Sequence, residues 1–146
     1  MNIKTYNIEL QMSETTRSYW MSLLAQTRDA FNTCTNMVTS EKTSLSIVTV
    51  HAQCYNILRE RYPQVPSQGI IRVQKSVLAM LRAIRGNKQK NASVPQRKQL
   101  VLQLDKRLYS NFSINGISLS NGKPQKRELC TFVLYDKVRE LFGTCV

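Results

Sequence analysis

Between residues 86 and 98 the spacing of apolar side chains changes from a helical period to a strand period, and this change constrains the fold more than any other feature. Upstream, Tyr19, Trp20, Leu23, Leu24, Phe31, Cys34 and Val38 recur at threes and fours, which predicts an amphipathic helix over 14–38. Ser13 offers its N-cap, and Glu14 suits the first turn. "TSEKTS" breaks the pattern, and a second helix is then predicted over 46–61 with Val48, Ala52, Tyr55, Leu58 and Tyr62 turned inward, although its first turns are β-branched. Pro63 and Pro66 force a turn, and Ser67 is the candidate cap of a third helix. On that helix Ile70, Val73, Val77, Met80, Leu81 and Ile84 fall within an arc of about 100°. Arg72, Lys75, Arg82 and Arg85 occupy a separate arc of about 140°, and Gly86 ends the helix.

Downstream the period is two. "QLVLQLD" puts Leu100, Leu102 and Leu104 on one face, with Leu102 and Leu104 as core, and "FSINGISLSNG" alternates Phe112, Ile114, Ile117 and Leu119. Asn115-Gly116 and Asn121-Gly122 have the composition of tight hairpin turns. "ELCTFVLY" is a further strand, and "DKVRELFG" a short helix or a continuation of that strand. At the start, Ile3, Tyr6, Ile8 and Leu10 alternate as one isolated strand. Its only available partners lie after residue 98. The expected fold is therefore α+β: a small antiparallel, OB-like β-barrel interrupted by an inserted three-helix lobe. Residues 1–12 are its first strand, 13–90 the helical lobe and 91–146 the rest of the barrel.

A chain of 146 residues that is 42% apolar supports a real core. No uninterrupted apolar stretch reaches the roughly 18 residues of a membrane helix, and Glu9 in an alternating start argues against a signal peptide. A cytoplasmic protein without membrane association is expected. The four cysteines, at 34, 54, 130 and 145, form no CxxC pair. His51 and Cys54 read first as buried or satisfied side chains, with a metal-ligand pair as the minor alternative. No metal or cofactor is expected.

The net charge of +12 is unevenly placed. Residues 1–60 carry five basic and five acidic side chains, while 61–146 carry sixteen basic against four acidic. That asymmetry points to a polyanionic partner. Phosphate-gripping loops, a nucleophilic triad and a carboxylate cluster for two-metal catalysis are all absent from the sequence, so an enzyme is not expected. The candidate RNA-binding residues are Arg72, Lys75, Arg82 and Arg85 on the third helix, Lys88, Lys90, Arg97 and Lys98 in the connection, and Lys106, Arg107, Lys123, Lys126 and Arg127 among the strands. Tyr109 suits core or stacking platform equally, whereas Trp20 reads as core. The strand-rich half favours RNA over duplex DNA.

Two strings carry a family resemblance: "YNILRERYPQVPSQGIIRVQKSV" (55–77) and "LQLDKRLYSNFSINGISLSNGK" (102–123). The chain resembles the N-terminal, non-catalytic half of transposon-encoded TnpB proteins and the compact type V CRISPR effectors of the Cas12 group. The resemblance implies a wedge-like barrel interrupted by a helical recognition lobe, together holding a guide RNA scaffold. By position it assigns scaffold contacts to Gln68, Arg72 and Lys75, and to Arg97, Lys98, Lys106, Arg107 and Tyr109. The family's RuvC-like nuclease has no counterpart here, because the chain stops at "LFGTCV" without "GIDxG" or paired CxxC. The expectation is a nuclease-less relative or a fragment that holds a structured, guide-like RNA, with a separate nuclease subunit as partner. The alternative is an inhibitor or regulator that mimics the recognition half and binds a type V CRISPR effector, for which Tyr19, Trp20 and Phe31 would supply an interface. Homodimerisation is left open.

Overall fold

The computed structural model describes residues 5–87, 94–104, 106–124, 126–134 and 140. The chain divides into two compact units, residues 21–103 and residues 1–20 with 104–146.

The 21–103 unit is helical. It contains most of α1 (Glu14–Ser40), all of α2 (Ile47–Arg61) and all of α3 (Ser67–Gly86). The predicted periodicity organises the α1 side of its core, but α2 is turned from the expected face: Val48 and Ala52, expected inward, are exposed, and of the expected set Leu58 alone is buried. Leu23, Ala30, Phe31, Cys34 and Val38 of α1 are buried with Val50, Cys54 and Leu58 of α2. From α3 come Ile70, Val73, Val77, Leu78 and Leu81. Full burial of each large aliphatic side chain contributes about 1.5–3 kcal/mol, so this core outweighs the weak helix preference of "IVTV" at the start of α2.

Two details of α3 differ from the expectation. Ser67 is its first helical residue and Pro66 stands at the cap, where no side chain bonds the helix end. The buried arc is also turned by about 40°, toward Gln74 and Leu78 and away from Met80 and Ile84, which are half-buried. Gln74 enters the core with its Oε1 3.0 Å from His51 Nδ1, while its Nε2 is buried with no hydrogen-bond partner among the described residues. Arg85 shares the azimuth of the buried arc but stays exposed, in the last turn of the helix.

Residues 94–104 form neither helix nor strand. The alternating leucines of "QLVLQLD" therefore do not make the expected strand: Leu104 is 39% exposed and Leu102 half-buried. A strand needs a hydrogen-bonded neighbour, and in this segment side chains of the helices satisfy the backbone instead, as described below.

The other unit is a four-stranded antiparallel sheet with the first turns of α1. Its strands are β1 (Glu9–Gln11), β2 (Tyr109–Ser113), β3 (Gly116–Ser120) and β4 (Arg127–Val133), in the order β1-β4-β3-β2. The sheet is open. The expected OB-like, wedge-like barrel would require β1 to pair with β2, and among the described residues these two strands are opposite edges. Strand lengths explain the correction: barrel closure needs tilted, staggered strands in sufficient number, and three residues of β1 and five of β2 cannot supply it. The expectation that β1 pairs with the C-terminal strands holds locally, since Leu10 lies opposite Phe132.

The β2–β3 turn also differs. Ser113 pairs with Gly116, so the two turn residues are Ile114 and Asn115. Gly116 begins β3, where a Cβ would lie 2.2 Å from the Cys130 carbonyl oxygen. The glycine serves close strand approach rather than the turn. At the β3–β4 turn, by contrast, Gly122 does adopt the left-handed conformation (φ +87°).

Ser13 caps α1 as predicted, its Oγ accepting from the Thr16 N–H at 3.3 Å. Trp20 is buried and donates its indole N–H to the Ser120 carbonyl at 2.8 Å, which ties the first turns of α1 to β3 within the sheet unit. Among the described residues no helix is long and apolar enough to cross a membrane, and no group of three or more His, Cys, Asp or Glu side chains is placed to hold a metal ion. The segment "DKVRELFG" lies outside the described residues except for Glu140.

Candidate nucleic-acid interface

In the helical unit the predicted cations fall into two kinds, those fixed by backbone carbonyls or an aromatic face and those left free. Arg72 and Arg82 are fixed. The Arg72 Nη1 donates to the Gln103 carbonyl at 3.2 Å. Arg82 donates through Nε and Nη2 to the Leu45 carbonyl at 3.1 and 2.7 Å. Both carbonyls lie outside helices, so each arginine satisfies a loop acceptor while keeping its charge uncompensated. Lys75 and Arg85 are exposed and hydrogen-bond to nothing described. Lys75 shares a shallow hollow with Arg82, and Arg85 lines another beside Lys42. Gln68, in the first turn of α3, is half-buried.

Arg97 is the most constrained of the set. Asn32 on α1 clamps its backbone from both sides, donating through Nδ2 to the Arg97 carbonyl at 3.0 Å and accepting its N–H at 2.8 Å. The guanidinium carbon lies 3.9 Å above the centre of the Phe31 ring, a cation–π contact. Gln96 adds a bond to Asn36 at 3.0 Å. These contacts lay the 94–103 segment against α1 and α3 and bring Arg97 and Arg72 to the same small cavity. Sequence reading placed both arginines among the candidates but missed Asn32, Phe31 and Gln103, which position them. Asn32 gave no signal, because an asparagine within a helical pattern reads as a solvent-facing residue. Lys98 is exposed, and Lys88 and Lys90 lie outside the described residues.

In the sheet unit, Arg127 opens β4 and donates through Nη2 to the Arg107 carbonyl at 3.0 Å. Lys106 and Arg107 are exposed just before β2, and Lys123 and Lys126 are exposed in the β3–β4 turn. Tyr109, half-buried, faces Leu119 across the ladder. Phe112 is 61% exposed, although it packs edge-to-face on Phe132 at 5.7 Å. Glu128 is committed elsewhere. It accepts from the Thr16 hydroxyl, from Ser13 Oγ at 2.7 Å and from the Ser13 N–H at 3.0 Å, which holds its carboxyl below the usual range.

His51 and Cys54 do not act together. His51 bonds Gln74 and stacks on Tyr55, while Cys54 lies buried against Cys34. The hydrogen bond with Cys54, and then burial, raise the Cys34 thiol; the same bond lowers Cys54 against burial and the charge of Glu41. The interface imagined for a protein-binding regulator is also displaced, since Trp20 and Phe31 are core residues. In the helical unit the most exposed large apolar side chain is Val48 on α2, at 75%.

The wedge-barrel part of the resemblance falls with the open sheet, and no comparison supports kinship with TnpB, Cas12 or other CRISPR proteins: no family model, curated protein or solved structure matches the chain.

Proposed function

We propose that the protein binds RNA and performs no chemistry on it. One observation carries this reading. From Arg72 to Arg127, leaving Arg107 aside, no described basic side chain forms an ion pair with a described carboxylate; the ion pair that the described residues do form, Arg28–Asp29, lies in the electrically neutral half. Described cations that leave their charge unpaired with a described carboxylate, Arg107 aside, form an electrostatic footprint for phosphate. The exposed Phe112 on a four-stranded antiparallel sheet, in the same unit as Lys106, Lys123, Lys126 and Arg127, favours unpaired RNA over duplex DNA. Such sheets stack bases on aromatic side chains in other RNA-binding modules, which is an argument by analogy of architecture. Cys34, Cys54 and Cys130 are free thiols, which fits a reducing, cytoplasmic compartment.

The test is fluorescence anisotropy with a labelled RNA hairpin carrying a single-stranded loop and a DNA duplex of equal length. RNA should bind more tightly, with affinity falling steeply as salt rises. Equal affinity for the duplex would overturn the RNA preference, and no binding at low salt would overturn the reading altogether. A second reading, a protein-binding regulator, is favoured by the exposed Val48 and the hollow it lines with Ile47, His51, Ala52 and Ile71. Purification from the native cell would reveal it as a stoichiometric protein partner that stays bound after nuclease treatment.

A further inference from the structure

We propose that the cavity shared by α3 and the 94–103 segment is a built site for a single phosphate group. It deepens the RNA-binding reading and rests on it only for the source of the phosphate; the chemistry of the cavity stands by itself.

The cavity has a volume of about 110 Å³. Water occupies about 30 Å³ per molecule in the liquid, so a tetrahedral oxyanion fits. A nucleobase with its sugar does not, because sites for whole small molecules begin at roughly 300 Å³. Gly69, Arg72 and Ser76 line it from α3, where spacings of three and four put them on one strip of the helix. Arg97 and Gln103 line it from the facing segment, and Val73, Val101 and Leu102 form its apolar wall. No carboxylate is among the lining residues.

The two arginines differ from surface cations in being positioned before any ligand arrives. Arg97 is held by the Asn32 clamp and the Phe31 ring, and Arg72 by the Gln103 carbonyl. A guanidinium carries five N–H donors in a rigid fork. The contact with Gln103 commits only the Nη1 of Arg72, and the guanidinium of Arg97 donates to nothing described, so most of the ten donors stay available. Planar, pre-positioned forks suit bidentate contact with phosphate oxygens. The Thr27 hydroxyl is already given to the Leu23 carbonyl at 2.8 Å, which leaves Ser76 as the free hydroxyl of the lining.

The experiment follows the Nε–Hε resonances of the isotope-labelled full chain during titration with inorganic phosphate. The Arg72 and Arg97 signals should shift and saturate together while those of Arg85 stay in place. Ser76→Asp puts a negative charge at an exposed helical position, so the fold is retained, and should weaken phosphate binding about tenfold or more; Arg72→Gln should do the same. A second arm compares one RNA with a 5′-phosphate and with a 5′-hydroxyl. A preference for the phosphorylated end that disappears in Ser76→Asp assigns the site to a terminal phosphate. Equal affinities that both fall in Ser76→Asp assign it to a backbone phosphodiester. If phosphate moves all arginine signals alike, or Ser76→Asp changes nothing, the site is overturned while RNA binding by the remaining cations stands. If phosphate saturates the cavity and RNA does not bind, the site stands, its ligand is free phosphate, and the RNA reading falls.

Discussion

The sharpest test of the electrostatic reading uses two residues that the fold does not need. Lys75 and Arg85 are exposed on α3 and bond to nothing described, so replacing both by glutamine removes two charges without breaking a contact. Stability should change by less than about 0.5 kcal/mol per site. Arg72 and Arg82 are poorer choices, because each is bonded to a loop carbonyl and its loss would mix structural with electrostatic effects.

The expected magnitude follows from counterion release. Each phosphate neutralised on a single strand adds about −0.7 to the slope of log affinity against log salt. Two such contacts contribute about −1.4, so between about 50 and about 200 mM salt the wild type should lose about sevenfold more affinity than Lys75→Gln/Arg85→Gln. Anisotropy titrations at four or more salt concentrations give both slopes, and thermal unfolding confirms that the variant is folded. An unchanged slope in a folded variant would refute the assignment of this face to phosphate. So would an affinity loss that is the same at every salt concentration, because that signature belongs to a lost shape contact.

Other predictions concern the sheet unit, where the chain's single tryptophan, Trp20, reports unfolding by fluorescence. Hydrogen bonds from Thr16 and then Ser13 hold Glu128 below the usual carboxylate range. With the folded value below the unfolded one, its contribution is fully present above an unfolded pKa of about 4.3 and is lost as pH falls through the lower folded value. Denaturant midpoints should therefore drop across that acid window in the wild type, and Glu128→Gln should be weaker above it and flatter through it; parallel pH profiles would contradict this. Gly116→Ala places a methyl 2.2 Å from the Cys130 carbonyl oxygen and should cost about 1–3 kcal/mol as β3 and β4 are forced apart. Denaturant unfolding checks it, and a loss under about 0.5 kcal/mol would show that the pair accommodates the methyl.

What the sequence disclosed and what it concealed divide along physical lines. The helices were legible because their cores are built at threes and fours from local runs; Leu23, Phe31, Cys34 and Val38 announce α1 before any partner is known. The rotation of α3 was concealed because Gln74 is buried through a bond to His51, twenty-three residues away, and polar residues count against burial when only the pattern is read. Sheet closure was concealed for a related reason. Alternation marks which residues face the core but not how many strands pair, and residues 99–104 alternate without forming a strand among the described residues. The charge asymmetry was fully legible, and with it most of the candidate cations. Their sorting into fixed and free was not, since the Asn32 clamp on Arg97 spans sixty-five positions.

That sorting has a kinetic consequence. The fixed residues Arg72, Arg82, Arg97 and Arg127 are all arginines, held by carbonyls or an aromatic ring. The exposed residues without such contacts are mostly lysines: Lys75, Lys98, Lys106, Lys123 and Lys126, together with Arg85. A free, strongly hydrated ammonium on a flexible stem attracts phosphate over a Debye length but loses rotamer freedom when it settles. A guanidinium already fixed has little left to lose, so more of its hydrogen-bond energy is kept in the complex. Neutralising the free lysines should therefore slow association, most of all at low salt, whereas Arg97→Gln or Arg72→Gln should mainly speed dissociation. Stopped-flow binding separates the two. If both groups changed only the association rate, the fixed arginines would be long-range charges like the rest, and the clamp on Arg97 would have a structural purpose alone.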